Sequence, residues 1–303
     1  MSAASRRRRQ TLRTVALAVL RRPGGAFGLA VVAALVAAAV VSLWWTPFDP
    51  QGTDVRAAWL LPMHRGHLLG TDRVGHDQFS LLLAGSRETL VAAVGSAFVA
   101  AVLGLSLGTA AVLAPRRLGA TLVQAIDLLI AFPGLLLAMV LAAVYGGSLA
   151  TVVAAIGTSA GVAVARVSRG EIARVLALDF VLAARACGAS TTRIVRTHLL
   201  PNIAPTMIVQ LSLVMALAVL TEAALTYLGY GSSPSTPSWG GLLHAQQDYI
   251  AARPLLVVWP GLAVALTVLG FNLLGDALRD ATDPRLRTEK PSPRPRSADG
   301  IRQ

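Results

Sequence analysis

Residues 90–113 read LVAAVGSAFVAAVLGLSLGTAAVL, an unbroken run with no charged residue. Its length falls in the range of roughly 17–25 residues that a helix needs to cross a bilayer. It shows none of the apolar-polar alternation of a half-buried strand. Lipid offers no partner to a bare peptide group, so such a run must close its hydrogen bonds within itself, as a helix. Five further uncharged apolar runs, at 27–44, 128–144, 149–165, 203–221 and 255–274, repeat the pattern. The chain is therefore predicted to be all-α, a polytopic membrane protein with six transmembrane helices.

Composition agrees with that reading and excludes a water-soluble enzyme. Of 303 residues, 54% are hydrophobic and 14% charged, where a soluble domain carries roughly 25% charged. The net charge is nevertheless +12, from 27 Lys+Arg against 15 Asp+Glu, so apolar and basic residues are segregated along the chain. Twenty-two of the 27 cations precede the first run, follow the sixth, or lie between the second and third or the fourth and fifth. Short cytoplasmic loops retain Lys and Arg, so these segments and both termini are expected in the cytoplasm. The basic excess is assigned to topology, with the lipid bilayer and no nucleic acid as partner. Cys187 is the single cysteine, which excludes an internal disulfide and a Cys-based zinc cluster.

The Arg-rich start also suits a twin-arginine secretion signal. The apolar run after it is long, ends in Trp44 and Trp45, and has no small-residue cleavage site before Pro47, so it is read as a retained anchor. The expected organisation is a basic cytoplasmic segment (1–25), a first helix (26–46), an extracytoplasmic loop (47–85), a core of five helices (86–276) with a cytoplasmic loop at 179–201, and a disordered cytoplasmic tail (277–303).

A nucleotide-binding P-loop requires Gly-Lys followed by Ser or Thr, and the only lysine, Lys290, follows Glu289. No ATP-hydrolysing site is expected in this chain. Gly157-Thr158-Ser159-Ala160-Gly161 matches the nucleophile pattern Gly-x-Ser-x-Gly, but that elbow needs a strand, a turn and a His base. Here it lies in an apolar run, so an intramembrane hydrolase built on Ser159 is a remote alternative. Gly157 with Gly161, and Gly104 with Gly108, read instead as close-packing pairs. His64, His67, His76 and Asp77 share a polar loop, but their spacing matches no metal-ligand pattern, and no metal is expected. At membrane depth the polar residues are Gln210, Glu222 and Asn272, oxygen and amide groups suited to a peptide backbone and placed as a possible translocation pathway. No Cys or His accompanies them.

Residues 179–202 read DFVLAARACGASTTRIVRTHLLPN, two short helices by their punctuation. Asp179 is placed to cap the first, Gly188 to break it, Ser190 to cap the second, and Pro201 to mark the entry to the fifth span. Small Ala183, Ala184 and Gly188 leave a shallow, approachable surface flanked by arginines. An ordinary amphipathic loop helix suits the same residues.

This segment resembles the coupling loop of the membrane subunits of ATP-binding-cassette importers, whose pattern is Glu-Ala-Ala, three residues, Gly, nine residues, Ile, any residue, Leu, Pro. Ala183, Ala184, Gly188, Leu200 and Pro201 fall on it, while Leu182 replaces the Glu and His198 the Ile. The outer loop Gly70-Thr71-Asp72, Gly75, Asp77, Ser80, Gly85, Arg87 is similar to that of the C-type permeases for dipeptides, oligopeptides or nickel. So are Phe132-Pro133, Glu222-Ala223-Ala224-Leu225-Thr226-Tyr227-Leu228-Gly229, Pro237-Ser238-Trp239-Gly240 and Phe271-Asn272-Leu273-Leu274-Gly275-Asp276. The resemblance implies the type I importer permease fold and a place in the bacterial inner membrane. It implies a second, B-type permease, two cytoplasmic ATPase subunits that use the ATP, and an extracytoplasmic solute-binding protein as partners. It also implies a coupling role for Leu182, Ala183, Ala184, Gly188, Leu200 and Pro201, with no cofactor bound by this chain. The solute expected is a peptide, with nickel as the alternative.

Overall fold

The structure is a computed structural model and describes residues 17–231 and 235–282. The expected tail beyond 282 and the first sixteen residues lie outside them. Among the described residues the principal elements are helices: α1 Pro23–Val41, α2 Gln78–Leu113, α3 Arg116–Ile130, α4 Gly134–Tyr145, α5 Leu149–Leu176, α6 Asp179–Ala186, α7 Thr191–Ile194, α8 Leu200–Tyr227, α9 Trp239–Gln246 and α10 Pro254–Thr282.

Five stretches are long and apolar enough to cross a membrane: α1, α2, α5, Thr191–Tyr227 and α10. The sixth expected span is not a straight helix. α3 and α4 are bent by 84° from one another, and the break falls at Phe132 and Pro133. Proline has no N–H to donate and drives the residue before it away from helical angles. The run at 128–144 thus has the right length and carries a breaker in its interior. Six spans are counted only when the bent pair is taken as one.

The ends of the outer helices are more tightly built than the sequence suggested. α1 starts at Pro23, which occupies the first helical turn, where its missing N–H costs nothing. Val19, just before it, buries against Ala277 and Ala281, and Arg22 pairs with Asp280. α10 therefore continues through Thr282, six residues into the segment expected as tail.

The centre of the molecule is the pair α2 and α5. A Cβ on Gly104 would lie 2.5 Å from Val164 Cγ1 and 2.9 Å from the Gly161 carbonyl oxygen, and one on Gly157 would lie 2.5 Å from Val99 Cβ. Gly104 meets Gly161, while Gly108 lies against Ala165 and Ser168 and Gly157 against Ser96 and Val99, so backbones approach where side chains would otherwise stand. Ser168 Oγ donates to the Gly104 carbonyl at 3.0 Å across the contact. Ser159 Oγ, the supposed nucleophile, packs toward Gly134 of α4. Gly104→Leu should lower the thermal midpoint of the detergent-solubilised protein in a circular-dichroism melt, by overpacking worth about 1–3 kcal/mol or more. Gly170→Ala on α5, where a Cβ meets nothing within 4 Å, should leave the midpoint unchanged or slightly raised.

Candidate functional site

One end of the bundle carries α6 and α7 with their arginines and is called the basic end here. α6 begins with Asp179 in its first turn, where a carboxylate complements the helix dipole. The capping position belongs to Leu178, and no side chain caps it, so Asp179 is not the cap that the sequence suggested. At the other end Gly188 has φ +77°. Its N–H donates to the Arg185 carbonyl at 2.9 Å and that of Ala189 to the Ala184 carbonyl at 3.0 Å, the paired bonds of a Schellman stop. Ser190 Oγ accepts from the Arg193 N–H at 3.3 Å and opens α7.

The segment is held from below. Val181 is fully buried with Ile172 and Val175 of α5, Ile194, Leu199 and Ile203. Its other face is uncovered: Phe180, Leu182, Ala183, Gly188 and Leu200 are exposed and Ala184 is half-buried. A Cβ at Gly188 would meet nothing within 4 Å, so its smallness is not required by this chain's own packing. His198, in the place of an aliphatic residue, sets its ring 5.7 Å from Phe180.

Pro201 stands in the first turn of α8, as expected at the entry to the span, although the helical path is continuous from Thr191 to Tyr227. Val195–Leu199 widens into a π-type turn, which makes room for a residue that cannot donate to the ladder. Asn202 Nδ2 donates to the His198 carbonyl at 2.6 Å and satisfies one of the loosened groups.

Gln210, Glu222 and Asn272 do not converge. Twelve residues separate the first two along α8, about 18 Å at 1.5 Å per residue. Gly275 of α10 packs on Ser212 of α8, so Asn272 sits about 4.5 Å farther from the basic end than that contact, between the other two in level. Gln210 and Asn272 are half-buried, while Glu222 is 1% exposed and accepts from Thr226 Oγ1 at 3.1 Å. Sequence reasoning named Glu222 as the lone deep acid and missed Glu88 of α2, which is also buried and interacts with it electrostatically.

The end far from α6 is built from the outer loop, and its signature residues are there for local bonds. Thr71 Oγ1 accepts from the Leu60 N–H at 2.8 Å and donates to the Ala57 carbonyl. Asp72 accepts from the N–H groups of Val74 and His76, both at 2.9 Å, and from His76 Nδ1 at 2.8 Å. Asp77 caps α2 through the Ser80 N–H at 2.8 Å and bonds His67 Nδ1 at 2.9 Å. His67 and His76 are thus each spent on one aspartate. Gly85 admits Trp239, whose Nε1 donates to the Leu82 carbonyl at 3.0 Å, and Arg87 Nε donates to Ser42 Oγ at 2.6 Å. Between this loop, α9 and the end of α8 lies a cavity of about 800 Å³, with Arg73, Thr226, His244 and Gln246 in its lining.

Residues 82–288 match the family described as "Binding-protein-dependent transport system inner membrane component". The chain is 37% identical to the di/tripeptide transport system permease protein DppC of Pseudomonas aeruginosa, over 87% of this chain and 89% of that one. It is 36% identical to the nickel transport system permease protein NikC of Escherichia coli, over 86% and 94%. It is 37% identical to the glutathione transport system permease protein GsiD of Pectobacterium atrosepticum, over 73% and 74%. A chain of the MetNI methionine ABC transporter, seen in inward-facing conformations, shares the fold with a TM-score of 0.56 at 21% identity, covering 67% of this chain and 97% of that one. A multi-pass helical bundle, a capped helical segment open on one face, and relatives matched over nearly their whole length together place this chain in the family of binding-protein-dependent transport system inner membrane components, the permease subunits of ATP-binding-cassette importers.

Proposed function

We propose that this chain is the membrane-spanning subunit of an importer of short peptides. Partner subunits hydrolyse the ATP and an extracytoplasmic binding protein delivers the solute. The observation that carries the reading is the 37% identity to a di/tripeptide permease over most of both chains, joined to a basic-end segment with its inner face locked and its outer face bare. Two ATPases and a B-type permease complete the assembly. The bare surface of Leu182, Ala183, Ala184, Gly188 and Leu200 receives the ATPase, and its displacement rocks the helices between two accesses. The chain holds no cofactor and breaks no bond itself. Gln210, Glu222 and Asn272 border the path, with Glu222 a lock between helices more than a solute contact. The likeness to NikC supports nickel as a second reading.

A reporter placed between Arg166 and Arg196 should report the cytoplasm and one near Asp54 the outside; the reverse pattern refutes the orientation. Ala183→Arg, at an exposed helical position without backbone strain, should abolish uptake and weaken co-purification of the ATPase while the permease stays in the membrane. Gly188→Arg should do the same, and normal transport by both variants counts against the coupling role. Deleting the chain should confer resistance to a toxic dipeptide analogue and leave nickel accumulation unchanged, whereas the opposite pattern would establish the nickel reading.

A further inference from the structure

Gln246 ends α9 with only 3% of its surface exposed, lines the far-end cavity, and has no hydrogen-bond partner at Oε1. A buried acceptor with no donor is a standing cost to the fold. Thr226, 8% exposed, lines the same cavity. Its hydroxyl proton goes to Glu222 Oε1, which leaves the oxygen's lone pairs for a donor from elsewhere. Gly231 packs directly on Thr226, and a Cβ there would fall on Oγ1. Glu222 Oε2 is buried without a partner behind the bond, and Glu88 interacts with Glu222 from α2. The floor is thus made of acceptors with carboxyl groups behind them, in surroundings that strengthen such interactions. Arg73 and His244 line the cavity as donors.

We propose that this cavity is a recognition vestibule for a short peptide, which seats its terminal ammonium on Gln246 and Thr226 and turns its carboxylate toward Arg73. The proposal rests on the peptide-importer reading and adds to it the residues that recognise the solute's ends. The volume of about 800 Å³ falls within the range of small-molecule sites, about 300–1,000 Å³. An ammonium offers three donors to a floor that lacks them, while an N-acylated end offers one and no charge.

The test uses the complete importer in proteoliposomes with saturating loaded binding protein. Gln246→Leu should lower the maximal rate of tripeptide uptake at least about tenfold, the loss expected when a charged donor meets no acceptor. The binding protein's KM should stay unchanged, and Gln246→Glu should restore the rate. Uptake at the wild-type rate by the Leu variant overturns the proposal. An independent measurement needs no variant: a tripeptide carrying a benzophenone side chain should label residues 226–231 or 235–246 of the wild-type chain. A free tripeptide should compete with that labelling, and its N-acetylated form should not. Uptake without labelling there, or equal competition by both forms, overturns the vestibule and leaves the importer reading intact. Absence of peptide uptake by the wild-type importer overturns the peptide reading, and the vestibule with it.

Discussion

The approach of α2 to α5 sets the positions of the other helices. In lipid no hydrophobic force drives two apolar helices together, so contact depends on close packing and on the polar bonds it permits. Gly104 and Gly108 on α2, with Gly157 and Gly161 on α5, bring the backbones near enough for Ser168 to reach the Gly104 carbonyl. From that axis the rest is placed. α5 leads directly into α6, whose Val181 buries on the side chains that α5 presents below the contact. α2 begins at the Asp77 cap, so the outer loop is fastened to the same axis at its other end.

The two ends differ in how they treat polar groups. At the basic end backbone groups are spent on stops and caps, and the surface left over sets small apolar residues among exposed arginines. At the far end several polar groups are enclosed instead. Gln78 is fully buried with neither side-chain amide atom bonded, and Gln246 and Glu222 each keep one unbonded oxygen. Enclosed polar groups of this kind are expensive in a membrane protein, and where they occur they mark places with work to do. A transporter needs both kinds of surface: one that another subunit grips and one that a polar solute can wet.

Much of this was legible in the sequence because it depends on short-range rules. Apolar run length gave the helices, and Gly188 and Ser190 gave the stop and start of the two short helices, since a positive φ and an oxygen-bearing cap have strong residue preferences. Position 179 misled because an acid in a first turn and an acid at the cap look alike when the strand-like residue before them, Leu178, has no side-chain oxygen to declare itself. The bend at Pro133 was written in the chain but lay inside a run whose length was persuasive. Gln246 gave no signal at all: its enclosure comes from α9 wedging between α2 and α8, a contact between residues about 160 positions apart in the chain, Trp239 with Leu82. Thr226 was half-legible, being one turn beyond Glu222 on the same face.

The π-type turn ahead of Pro201 has a mechanical consequence. The stretch from Leu200 to Tyr227 is a rod about 42 Å long at 1.5 Å per residue, joined to α7 through a turn whose bonding is looser than that of the rest of the helix. Pro205 removes one further ladder bond just beyond that joint, and the buried cluster holds the helix at Ile203, Met207 and Val214. A tilt of about 5° about Ile203 would carry the Tyr227 end through about 3 Å over the remaining length. A displacement of the basic end would thereby reach the far cavity, beside the very residues that enclose it, without any helix having to unwind.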